Sequence, residues 1–154
     1  MEDKTFQRQN LINQNANNLS PREKIYNSSV EKKYFYNHSG KTFAGIHLLV
    51  DLWGAKPLDN ESYLNETLDE CLKAAKAKLL HKHIHKFEDN GGLTGIAVLA
   101  ESHMSFHTWP ETDYAAFDIF TCGNSKPDET IKVLKERFNP DKILVKKIFR
   151  GEQN

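Results

Sequence analysis

The sequence predicts an α+β fold, a two-layer sandwich in which an antiparallel sheet carries its helices on one face. Three observations predict it. Four strand candidates follow one another between residues 82 and 121, and consecutive strands joined by short turns pair antiparallel. Only two segments repeat their apolar residues at helical spacing. The elements run β α β β β β α β, without the regular alternation that builds a doubly wound parallel sheet.

Ile46–Leu52 (IHLLVDL) reads as a strand, closed by Gly54 and Pro57. Asp59 or Asn60 is placed to cap a helix, because a short oxygen-bearing side chain accepts from the free N–H groups of the first turn. Leu64, Leu68, Cys71, Leu72, Ala75 and Leu79 then recur on one helical face. Lys82–Phe87 alternates polar and apolar residues, Asn90-Gly91-Gly92 makes a turn, and Leu93–Ala100 suits a buried strand. Ser105–Trp109 and Tyr114–Thr121 are further strands. Ser125 with Asp128 forms a capping box for a helix carrying Ile131, Leu134 and Phe138 on one stripe. Lys142–Phe149 closes the chain as a strand.

Residues 1–40 are rich in Asn, Gln, Ser and Lys, with few large apolar side chains, and are expected to be a disordered extension to a domain over 41–154. Tyr34, Phe35 and Tyr36 are the residues of that stretch able to dock on the body. The chain of 154 residues is long enough for one domain with a real core. Its 21 basic and 21 acidic residues cancel, which removes any global attraction to nucleic acid or anionic lipid. Lys73, Lys76, Lys78, Lys82 and Lys86 read as a solvated face. No apolar run reaches the roughly 20 residues of a membrane span, and the first residues do not read as a secretory signal. Cys71 and Cys122 are too few for a disulfide framework, which fits a reducing cytoplasmic compartment.

Chemistry concentrates in Leu99–Gly123, which holds Glu101, Ser102, His103, His107, Glu111, Asp118 and Cys122. Three chemistries compete for these residues. His103 and His107 have a spacing that works for metal on a helix, but on a strand they stand ~13 Å apart. His81, His83 and His85 share one strand face at ~6–7 Å, the pattern of a wet sheet surface, so no metal is expected. Ser102 lacks a Gly-x-Ser-x-Gly context, and Cys122, taken alone, reads as a small buried hydrophobe. Self-processing at the Glu101–Ser102 bond is the third possibility. It requires a base such as His107, which reaches Ser102 only if the chain turns near Glu101–Met104, because residues five apart on a straight strand face opposite sides. Trp109 reads as a core aromatic at a strand end, followed by Pro110 as a terminator, and Asp118 as part of a polar sheet face.

The same stretch resembles the short (class 1B) bacterial and archaeal form of S-adenosylmethionine decarboxylase. The carrying residues are Glu101-Ser102-His103, His107-Thr108-Trp109-Pro110-Glu111, Tyr114-Ala115-Ala116, Asp118 and Phe120-Thr121-Cys122-Gly123. Weaker matches at Gly45-Ile46-His47-Leu48, His85-Lys86-Phe87 and Arg150-Gly151 extend it over about residues 43–151.

The resemblance implies a proenzyme that cuts itself between Glu101 and Ser102. It makes Ser102 the source of a covalent pyruvoyl group, which forms a Schiff base with S-adenosylmethionine and accepts the electrons left by carbon dioxide. It assigns His107 to processing, Cys122 to proton donation, Glu111 to the ribose hydroxyls and Phe87 to stacking on adenine. It also implies a dimer of αβ units whose sites draw on both protomers, and a product that is the aminopropyl donor for spermidine. Thr94-Gly95 replaces the family's Ser-Gly and keeps the hydroxyl that supports processing. One extra residue lies between Phe87 and Thr94. Thr112-Asp113 replaces Tyr-Gly and keeps open a pyruvoyl decarboxylase of ornithine or arginine, since an acidic residue can pair with a cationic side chain. An uncleaved, non-catalytic regulatory homologue is the third reading.

Overall fold

The computed structural model describes residues 35–153. Its elements are β1 (Tyr36–His38), β2 (Lys41–Trp53), α1 (Glu61–Ala74), β3 (Leu79–Lys86), β4 (Leu93–Leu99), β5 (Ser102–Trp109), a 3-10 turn (Pro110–Thr112), β6 (Tyr114–Thr121), α2 (Asp128–Phe138) and β7 (Lys142–Gln153). All strand pairings are antiparallel, in the order β7-β2-β6-β5-β4-β3, with β1 beside the start of β2.

Period-two alternation sorts the sheet into two faces. Ile46, Leu48, Val50 and Leu52 of β2, Met104 and Phe106 of β5, and Ala115, Phe117 and Ile119 of β6 are buried and form one core with Leu64, Leu68, Cys71 and Leu72 of α1 and Leu134 and Phe138 of α2. Both helices therefore lie on one face, as the α+β sandwich requires. Gly95 belongs to this layer for a steric reason. A Cβ there would stand 2.4 Å from the Phe106 ring.

The opposite face carries His47, Asp51, Thr94, Ile96, Val98, His103, His107, Trp109, Asp118 and Phe120. Ile96, Val98, Trp109, Leu144 and Ile148 are exposed large hydrophobic residues.

Several local expectations change. Asn60 does cap α1, its side chain accepting from Tyr63 N–H at 3.0 Å. The helix ends at Ala74, however, and does not reach Leu79. Lys76 takes the left-handed position at φ 55°, Ala77 N–H bonds to Leu72 C=O at 3.0 Å and Lys76 N–H to Lys73 C=O at 3.1 Å. This reverse turn normally advertises itself with glycine, and here a lysine hides it. Leu79 instead opens β3, opposite Leu99. The Ser125–Asp128 capping box does not form: Pro127 is the N-cap and makes no side-chain bond. Thr130 Oγ1 donates back to Pro127 C=O at 2.6 Å instead.

β5 begins at Ser102 and β7 continues to Gln153, both longer than expected. β1 lies inside the stretch read as an extension and pairs with Lys41–Phe43 of the domain, and Tyr36 packs on Phe149 at 6.0 Å. Residues 1–34 of that stretch, Tyr34 included, lie outside the described residues.

Candidate active site

The motif residues fall into two clusters at opposite ends of β4 and β5. The first surrounds the turn between these strands. Leu99 pairs with Ser102, so Ala100 and Glu101 form a two-residue turn. Glu101 sits at φ 75°, a left-handed conformation that a side chain with a Cβ adopts only at a cost of about 1–2 kcal/mol. Ser102 Oγ accepts the backbone N–H of Cys122 at 3.2 Å, bridging the starts of β5 and the end of β6.

Cys122 is partly exposed, and its thiol pKa is raised by burial first and by the Glu101 carboxylate second. Cys71 is the cysteine that meets the expectation of a buried hydrophobe, with its thiol pushed up to about 12 by burial. His103 stacks on Phe120 at 5.6 Å and meets His47 edge-on at 6.3 Å. Burial, and next the neighbouring His47, hold its pKa below the ordinary histidine value. The Arg150 guanidinium lies 5.4 Å from the Phe120 ring. His103, Phe120 and Arg150 line a cleft of about 550 Å³ with Glu101 and Ser102.

The second cluster surrounds the hairpin between β3 and β4. Register pairs Thr94 with His107, and the Thr94 hydroxyl lies 3.0 Å from His107 Nδ1. Phe87 is exposed on one side of a cleft of about 430 Å³ shared with Asp89, Asn90, His107 and Trp109. Glu111 stands in the 3-10 turn and accepts from Asn90 Nδ2 at 3.3 Å. Beneath the cleft, Thr108 Oγ1 accepts Leu93 N–H and donates to Leu58 C=O, each at 2.8 Å, which ties the hairpin to the loop before α1.

Three expectations are corrected by this geometry. The chain turns before Ser102, at Ala100–Glu101, so β5 runs straight from Ser102 to Trp109 and carries His107 ~17 Å away from Ser102. Trp109 is not a core residue: it lies on the open face against Tyr114 at 5.1 Å. Asp113 does not line the Phe87 cleft. It caps the 3-10 turn at φ 50° and pairs with Lys56 at 3.1 Å. Asp118 does occupy the open sheet face, 3.2 Å from His47 Nε2.

Asn90 was legible in the sequence only as a turn residue, and Arg150 only as part of a terminal match. Neither has a spacing that announces a role, since Asn90 reaches its cluster through the fold of the β3–β4 turn and Arg150 through its register opposite Gly45.

The model of the family described as S-adenosylmethionine decarboxylase matches residues 46–151. A protein of Thermomicrobium roseum named S-adenosylmethionine decarboxylase proenzyme is 42% identical over 108 residues, covering 70% of this chain and 93% of the relative. One of the same name from Methanococcus vannielii is 44% identical over 110 residues, covering 70% and 89%. Among solved structures, the adenosylmethionine decarboxylase of Aquifex aeolicus is similar with a TM-score of 0.65 at 32% identity, covering 71% of this chain and 92% of that one.

Proposed function

The chain belongs to the S-adenosylmethionine decarboxylase family, and from that premise we propose that it cuts itself between Glu101 and Ser102 and then decarboxylates S-adenosylmethionine, supplying the aminopropyl donor for spermidine. The observation that carries this reading is the contact of Ser102 Oγ with Cys122 N–H at the Glu101 turn. A backbone donor on the serine oxygen favours loss of its proton, which readies it to attack the Glu101 carbonyl carbon. The C–N bond breaks and an ester forms. A base removes the Ser102 α-proton, the Glu101 carboxylate leaves, and the resulting dehydroalanine hydrolyses with loss of ammonia. The strained turn at Glu101 raises the starting state of that peptide, which favours its departure.

The residues present fit the pyruvoyl group that Ser102 would become, since the Cys122 amide nitrogen contacts the Ser102 oxygen and the Cys122 thiol lies within the influence of the Glu101 carboxylate. The group supplies an electron sink when carbon dioxide departs. Cys122 holds a proton for the substrate carbon, a task suited to a thiol whose pKa is raised. Phe87 offers a flat face to adenine, and Glu111 offers a carboxylate to the ribose hydroxyls. His107, oriented by Thr94, is the base for processing.

A single chain holds these two half-sites apart, and this supports a two-fold dimer in which His107 of the partner subunit serves Ser102. The open sheet face, with its exposed Ile96, Val98 and Ile148, is a surface for such pairing. Both cysteines are free, which supports a cytoplasmic setting. No helix among the described residues is long and apolar enough to cross a membrane. The ion pair of Asp113 with Lys56 neutralises the carboxylate that would recommend ornithine or arginine.

Intact mass and carbon dioxide release test the whole reading. Purified protein is expected to yield a fragment of residues 102–154 blocked at its N-terminus, and to release carbon dioxide from S-adenosylmethionine. Ser102→Ala is expected to remain one chain of 17.7 kDa. An unbroken wild-type chain would identify a non-catalytic homologue, and turnover of ornithine or arginine alone would replace the substrate.

A further inference from the structure

The β3–β4 hairpin does more than connect strands. Phe87 N–H bonds to Gly92 C=O at 2.8 Å and Gly91 N–H returns to Phe87 C=O at 3.1 Å, so the turn is closed by its own backbone. Within it, Asn90 Oδ1 accepts Gly92 N–H at 3.0 Å. That bond settles which end of the amide points outward. Oδ1 is occupied by a donor, so Nδ2 faces Glu111, 3.3 Å from Oε1. Gly92 is held to this geometry on both sides: a Cβ there would lie 2.8 Å from Thr108 C=O and 3.1 Å from Asn90 Oδ1. The turn therefore presents one amide donor from the lining of the Phe87 cleft to the Glu111 carboxylate.

We propose that Asn90, which lines the Phe87 cleft, is a positioning residue for nucleoside recognition, holding the neighbouring Glu111 carboxylate in the orientation that accepts both ribose hydroxyls. This rests on the reading of Glu111 as the ribose ligand. Glu111 rides on a three-residue 3-10 turn and is exposed, so its side chain is otherwise free to sample several rotamers. Fixing one oxygen with a neutral donor leaves the other oxygen free to accept from a ligand. It adds no charge that would compete for the carboxylate. Because the same turn begins at Phe87, the surface for the base and the acceptor for the sugar are set by one hairpin.

The test is a double-mutant cycle measured on self-cleaved enzyme with S-adenosylmethionine. Asn90→Ala is expected to raise KM about tenfold, the scale of one lost bond to a charged group, and to raise KM more than it lowers kcat. Glu111→Ala is expected to raise KM further. In that background Asn90→Ala is expected to add less than a factor of about two, since it acts through Glu111. Asn90→Asp keeps the acceptor for Gly92 N–H, and so the turn, while replacing the donor with a second carboxylate. It is expected to weaken binding with a pH-dependence of KM that wild-type lacks, because two adjacent carboxylates raise one another's pKa. If Glu111→Ala raises KM while Asn90→Ala has no effect, or has the same effect in both backgrounds, the positioning role is overturned. If Glu111→Ala leaves KM unchanged, the ribose assignment fails and takes the inference with it.

Discussion

His107 Nδ1 lies 3.0 Å from the Thr94 hydroxyl, and this pair stands at the far end of β5 from Ser102. A base cannot act across ~17 Å of strand, so the chemistry requires either a large rearrangement or a second copy. Co-expression distinguishes them. Ser102→Ala and His107→Ala chains are each expected to stay whole when made alone. Together they are expected to yield cleaved His107→Ala chains, because each mixed dimer retains one intact pair. Mass spectrometry of separately tagged chains reads the outcome, and no cleavage in the mixture would sink the shared-site arrangement.

The Thr94 hydroxyl is placed by register to orient the imidazole of His107. Thr94→Ser retains the hydroxyl and is expected to cleave at close to the wild-type rate. Thr94→Val keeps the shape without the oxygen and is expected to slow cleavage about tenfold, the scale of one neutral hydrogen bond. Time courses of fragment appearance on a gel measure both, and equal rates would remove Thr94 from the processing machinery.

Cys122 contributes a backbone N–H to Ser102 and separately a thiol. Cys122→Ser leaves the backbone donor in place, so cleavage is expected to continue. Decarboxylation is expected to fall by about 10²–10⁴, the usual contribution of a general acid. The pH sign follows from the raised thiol pKa. The acid form is present below that pKa and is lost as pH rises through it. The alkaline limb of kcat is therefore expected above the ordinary thiol range of about 8.5. A limb at or below that value would assign the proton to another group.

Ile96 and Ile148 are 43% and 44% exposed on the sheet face that carries no helices. The double substitution Ile96→Glu with Ile148→Glu places carboxylates where a second sheet would have to bury them, at a cost of several kcal/mol. Light scattering is expected to give a monomer, and intact mass an uncleaved chain, with circular dichroism unchanged. A cleaved monomer would show that one chain suffices.

Much of the fold is written in local patterns. Apolar and β-branched runs at Ile46–Leu52, Leu93–Ala100 and Tyr114–Thr121 and the alternation of Lys82–Phe87 identify strands, because such residues suit a pleated, half-buried backbone wherever it lies in the sheet. Asn60 announces the start of α1 by the same kind of local chemistry. The end of α1 is not announced, because Lys76 occupies a position where glycine is the usual sign. Trp109 lies on the open face and not in the core, a difference that local sequence does not carry, because an aromatic at a strand end looks the same on either face.

The motif residues Ser102, His107, Glu111 and Cys122 were legible as types and spacings, and with them the family. Local pattern supplies the inventory: which groups exist, on which strands, and with which neighbours along the chain. Their grouping in space comes from the folded chain. Register puts Cys122 beside Ser102 and Thr94 beside His107, and the Asx turn aims Asn90 at Glu111. The physical reason is that side-chain alternation is a property of a strand, whereas register and turn geometry are set by hydrogen bonds between segments far apart in sequence.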